Sequence, residues 1–133
     1  MNKPAAFFDT ERPRNLAGVF AGVLFLDQCG KQLALARGAY RANSGALGGL
    51  DIDPILGAAA LVALILSLRR RRGGRGYREA VTLLGAGAAS NLLDRLRWGF
   101  IVDYLFLPGC ICNLADLALA AGAALLAWRI FRE

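Results

Sequence analysis

The chain has 133 residues with 16 basic and 10 acidic groups, no histidine, 56% hydrophobic residues and a mean hydropathy of +0.44. That length allows one domain, residues 1–133, and the hydropathy exceeds what a soluble domain of this size could bury, so a small membrane protein is expected. The lack of histidine excludes Ser-His-Asp and Cys-His catalysis and every imidazole-built metal site, and three cysteines without a C-x-x-C make neither a disulfide framework nor a zinc ribbon.

The first apolar stretch runs from Asn15 to Ala36 and carries Asp27 and Lys31 in its second half. Ala34-Leu35-Ala36 imitates a signal-peptide cleavage site, but Asp27 and Lys31 would then lie in the apolar core of the signal, so this span is expected to be retained. The second stretch, Pro54 to Leu68, would be about 22 Å long as a helix and spans only by borrowing flanking residues or thinning the bilayer. A basic run, Arg69 to Arg78, follows. The third stretch begins near Glu79, passes through Asp94 and Arg95, and resumes as WGFIVDYLFL. The fourth runs from about Cys110 to Phe131, and Gly and Ala recur in both, as close helix packing in lipid requires. The expected architecture is an all-α membrane protein of four transmembrane helices.

With four spans, Lys3, Arg12, Arg14, the Arg69–Arg78 run, Arg129 and Arg132 share one side. Lys31, Arg37, Arg41, Arg95 and Arg97 fall on the other. The positive-inside bias therefore makes both termini cytoplasmic. The arginine run is explained as a topology signal, and no nucleic-acid partner is expected.

Ionisable groups at membrane depth are costly and mark function. Asp27, Lys31, Asn43, Asn91, Asp94, Arg95, Asp103, Asn113 and Asp116 all fall in or near the outer ends of spans one, three and four. Asp27 and Lys31 are i,i+4. Asn91 with Asp94 and Arg95, and Asn113 with Asp116, repeat that helical spacing. A Ser–Lys dyad of Lys31 with Ser44 or Ser90 is disfavoured, because a lysine paired with Asp27 stays protonated. Paired carboxylates remain, since two aspartates sharing a site keep one proton between them. Asp94 beside Arg95 and Asp27 opposite Lys31 read as structural ion pairs. Asp103 and Asp116 lack a cation at helical spacing and form the better dyad. Trp98, Tyr104 and Trp128 read as interfacial anchors.

Residues 85–122, GAGAASNLLDRLRWGFIVDYLFLPGCICNLADLALAAG, resemble the lipoprotein signal peptidase (signal peptidase II) family. The matching positions are Asn91, Asp94 and Arg95, then Gly99, Val102, Asp103 and Tyr104, then Asn113, Ala115, Asp116 and Gly122. Asp27, Gln28 and Lys31 match the family's D-Q-x-x-K, and Asn43, Gly45, Ala46 and Gly48 its outer loop, with Leu47 in place of an aromatic. The resemblance implies an intramembrane aspartyl endopeptidase of the bacterial cytoplasmic membrane, active near the outer leaflet and requiring neither cofactor nor metal. Its substrate would be a prolipoprotein, cut before the diacylglyceryl-modified cysteine. It implies Asp103 and Asp116 as the catalytic pair, supported by Asp27, Lys31, Asn43, Asn91, Asp94, Arg95 and Asn113. Only 15 residues separate Asp27 from Asn43, and Cys112 replaces an aromatic, so the extracytoplasmic β cradle should be reduced. The alternative is a non-catalytic lipid- or lipoprotein-binding paralogue on the same scaffold.

Overall fold

The computed structural model of the chain describes residues 15–45 and 75–132. Helix α1 spans Leu16–Arg37. Asn15 caps it by accepting the Gly18 N–H at 2.9 Å, and Gly38 closes it in the left-handed conformation. Strand β1 covers Arg41–Asn43, helix α2 Arg75–Trp98, strands β2 to β4 Ile101–Asp103, Leu105–Leu107 and Cys110–Cys112, and helix α3 Leu114–Arg132. The stretch expected at 54–68 and most of the basic run lie outside the described residues. Among the described residues one helix, α1, is long and apolar enough to cross a membrane by length and composition.

The third apolar stretch does not run on as one helix. Gly99, at φ 78°, takes the left-handed backbone that stops α2, and its N–H closes on Arg95 O at 3.0 Å. The β-branched Ile101 and Val102 then extend as β2, which pairs antiparallel with β1, Asn43 opposite Ile101 and Arg41 opposite Asp103. Strands β3 and β4 form a hairpin through Pro108 and Gly109, with Leu105 opposite Cys112. The second half of α1, the end of α2 and the start of α3 meet beside these ribbons. Helices α2 and α3 pack so closely that a Cβ on Gly87 would lie 2.5 Å from Ala115 O, and one on Gly122 2.9 Å from Ala80 O.

What is buried inverts the pattern of a water-soluble helix. The inward stripe of α1 is Asp27, Lys31 and Ala34, at i, i+4 and i+7, while Phe25 and Leu26 are 68% and 60% exposed. Among the described residues, the largest wholly buried side chains apart from Val102 are Lys31, Asn113, Asp27, Asp94, Asp103 and Ser90. Such a core holds only if its polar atoms find partners. Among the described residues, no buried side-chain nitrogen or oxygen lacks one.

Candidate active site

Lys31 is the hub of the buried polar core. Its Nζ lies 2.7 Å from Asp27 Oδ2 and 2.7 Å from Asp94 Oδ2, and it donates to Asn91 Oδ1 at 3.0 Å. An ammonium has three protons, and all three are committed. Ser90 Oγ donates to Asp27 Oδ2 at 2.6 Å, so a Ser–Lys dyad has no free base here. Asp27 Oδ1 also accepts the Tyr104 hydroxyl at 3.0 Å and the Ala115 N–H at 3.1 Å. Asp94 accepts the Val102 N–H at 3.0 Å and Gln28 Nε2 at 3.0 Å. Two carboxylates and one ammonium thereby tie α1, α2, β2 and the start of α3 together.

Two expectations are corrected by this geometry. Asp94 pairs with Lys31, while Arg95 turns away and gives its Nη2 to Gly45 O at 3.1 Å. Adjacent helical residues do not face one another, so i,i+1 was the wrong spacing for that pair. Tyr104 is no interfacial anchor. Its ring packs on α1 where a Cβ at Gly30 would come within 2.7 Å of it, and its hydroxyl takes the Leu114 N–H at 3.4 Å while donating to Asp27. Burial, with the Asp27 charge second, pushes that hydroxyl above its ordinary range, so it remains a donor.

Asp103 ends β2 and Asp116 lies in the first turn of α3. Asn113 joins them. Its Oδ1 accepts the Asp116 N–H at 2.8 Å and Asp116 Oδ2 accepts the Asn113 N–H at 3.2 Å, which is a reciprocal capping box with Asn113 as N-cap. Its Nδ2 is thereby free to donate to Asp103 Oδ1 at 2.9 Å. Asn43 repeats the device. Gly45 N–H occupies its Oδ1 at 3.2 Å, and its Nδ2 reaches Asp103 Oδ2 at 3.2 Å. Asn91 does so again, with Lys31 on Oδ1 and Nδ2 on Asp116 Oδ1 at 2.9 Å. Each asparagine has its acceptor end filled, so its donor end turns to a carboxylate. All four carboxylate oxygens of Asp103 and Asp116 receive an N–H. Asp103 is only 2% exposed, and burial pushes its carboxyl above the usual range, with the Asp116 charge adding and the Asn43 and Asn113 hydrogen bonds opposing. Among the described residues no group of three or more Cys, Asp and Glu is placed to hold a metal ion.

The family model for signal peptidase (SPase) II matches residues 19–132. The chain belongs to the signal peptidase II family. It is therefore a peptidase by descent. The chain is 33% identical over 140 residues to the lipoprotein signal peptidase of Pelotomaculum thermopropionicum, covering 86% of this chain and 90% of that one. It is 37% identical over 98 residues to the lipoprotein signal peptidase of Moorella thermoacetica, covering 68% and 65%. A bacterial membrane enzyme solved by the in meso method at 2.3 Å resolution superposes with a TM-score of 0.77 at 20% identity, over 88% of this chain and 87% of that one. A second, at 1.9 Å, gives a TM-score of 0.73 at 21% identity, over 89% and 93%.

Every residue expected to form the site falls in this one cluster. Ser90, Gln28 and Tyr104 belong to its polar network as well. Ser90 could have been found as a polar residue one turn before Asp94 on the Asn91 side of α2. The backbone donors of Val102 and Ala115 carry no sequence signal at all.

Proposed function

We propose that this signal peptidase II family member removes the signal peptide of a prolipoprotein by an aspartyl mechanism, cutting before the diacylglyceryl-modified cysteine, with Asp103 and Asp116 as the acting pair. The observation that carries the reading is the set of N–H donors on all four carboxylate oxygens, held by asparagines whose other ends are filled. Such a cradle orients two carboxyls without neutralising either. Asp103 is the more buried and keeps the shared proton. Asp116 is less buried and sits at the N-terminal end of α3, where negative charge is favoured, so it acts as base.

In the reaction Asp116 takes a proton from water as that water adds to the scissile carbonyl, and Asp103 gives its proton to the carbonyl oxygen. Collapse of the tetrahedral diol breaks the C–N bond, and a proton returns through the pair to the leaving amine. Asn43, Asn91 and Asn113 orient the pair. Asp27, Lys31 and Asp94 anchor the elements that carry it, and Arg95 fastens the segment after β1. The exposed apolar faces lie in lipid of the bacterial inner membrane. The pair sits at the helix ends opposite Arg78, Arg129 and Arg132, hence toward the outer leaflet, with both termini cytoplasmic.

The test is incubation of the purified protein with a diacylglyceryl-modified prolipoprotein, followed by gel shift. Conversion to the shortened lipoprotein is expected. Substrate that binds but is never converted would favour the non-catalytic lipid- or lipoprotein-binding paralogue. Arg95→Ala tests a subsidiary role in the same assay. Because Arg95 holds Gly45 rather than Asp94, thermal unfolding should change little, by about 1 kcal/mol, while turnover falls as Asn43 loosens from Asp103. An unfolding loss several times larger would mean that Arg95 supports the buried charges after all.

A further inference from the structure

Asn91 can present either end of its amide to Asp116, and only one end helps. With Nδ2 toward the carboxylate it donates; reversed, Oδ1 would face Asp116 and repel its charged form. What sets the orientation is Lys31, whose third proton occupies Asn91 Oδ1 at 3.0 Å. The first two are held by Asp27 and Asp94 at 2.7 Å each, so the ammonium itself cannot turn.

We infer that Lys31 is a positioning residue for Asp116, acting through the Asn91 amide. The inference rests on the peptidase reading and goes beyond it, because it makes a cation with no hydrogen bond to Asp116 responsible for the donor that this carboxyl receives. The chain Asp27/Asp94–Lys31–Asn91–Asp116 crosses from α1 through α2 to α3 by direct side-chain contacts. A salt-bridged lysine acting only through packing and its own charge would affect the pair equally with or without Asn91.

Among the described residues, the charged and titratable groups facing Asp116 come from the neighbouring strands. They are Asp103 from β2 and the Cys112 thiol from β4, while Lys31 from α1 acts on Asp103 and is paired with Asp94 of α2. Cys112 is pushed up to about 11 by burial and stays protonated across the working range. Removing Lys31 frees the amide to reverse and also removes a nearby positive charge. Both effects oppose ionisation of the pair, so both move the acid limb of the pH profile upward.

The experiment compares Lys31→Met with the parent enzyme in turnover against pH, and repeats the comparison in an Asn91→Ala background. The expected result is an acid limb displaced upward by about one pH unit. A fall in kcat of about tenfold with KM nearly unchanged should accompany it. In the Asn91→Ala background Lys31→Met should displace the limb clearly less, by the loss of its charge alone, because the route through the amide is already cut. An unmoved acid limb, or a full Lys31 effect in the absence of Asn91, overturns the relay. If Lys31→Met fails to fold, Lys31→Met with Asp94→Asn removes one stranded carboxylate and carries the same comparison. Infrared titration of the carboxyl C=O stretch in the same variants reads the displacement without turnover. A parent enzyme that does not cleave would thus count against the peptidase reading, while the infrared comparison still decides the relay.

Discussion

Replacing either Asp103 or Asp116 by asparagine is expected to abolish prolipoprotein cleavage, with turnover reduced on the order of a thousandfold or more. The amide has nearly the shape of the carboxyl but can neither accept the proton of water nor share one with its partner. Structure should survive. In Asp116→Asn the remaining side-chain oxygen can still accept the Asn113 N–H and preserve the α3 cap, and in Asp103→Asn one of the two donating asparagines keeps its acceptor. Because the two carboxyls act as a unit, the double variant should be barely worse than either single one. The measurement is turnover on a diacylglyceryl-modified substrate beside helix content and thermal unfolding. Substantial turnover in Asp103→Asn would sink the aspartyl mechanism for this chain.

A change of comparable size is expected in stability for Asp27→Ala. That one truncation withdraws the acceptor from Lys31 Nζ, Ser90 Oγ, the Tyr104 hydroxyl and the Ala115 N–H, all inside a core closed to solvent. Breaking a buried pair from one side costs about 3–5 kcal/mol, since the surviving charge stays behind uncompensated. Asp27→Asn should cost less, because its carbonyl oxygen retains some of these donors and Lys31 still has Asp94. Thermal unfolding in detergent micelles distinguishes them. A melting temperature unchanged in Asp27→Ala would mean that the buried network is not what joins α1 to the other helices.

Much of the site was legible as sequence because its chemistry is written in side chains. Charged residues inside an apolar chain stand out, and i,i+4 spacing placed Asp27 under Lys31 correctly. The lack of a cation at helical spacing from Asp103 and Asp116 singled out a pair that the structure joins through Asn113, although Lys31 of α1 lies near enough to act on Asp103. What failed was legible only in three dimensions. Asp94 found its partner on α1 rather than at the next position, and hydropathy could not tell that Ile101 to Leu107 continues as strands instead of helix. Gly99 was the available warning, since an apolar helix has little use for a glycine just past a tryptophan unless the backbone must turn there. Tyr104 misled for a different reason. An aromatic near a span end usually faces the headgroups, and nothing local says that Gly30 has made room for it indoors.

Asn113 gives the enzyme an unusual failure mode. The residue that caps α3 is also the one bonded to both carboxyls, so fraying of a single helical turn takes one donor from Asp116 and one from Asp103 together, leaving each on a single asparagine. Helix ends open far more easily than whole proteins unfold. On warming, activity should therefore fade while most of the helical signal persists. Heat-treated enzyme would keep its shape and lose its edge, recovering both on cooling.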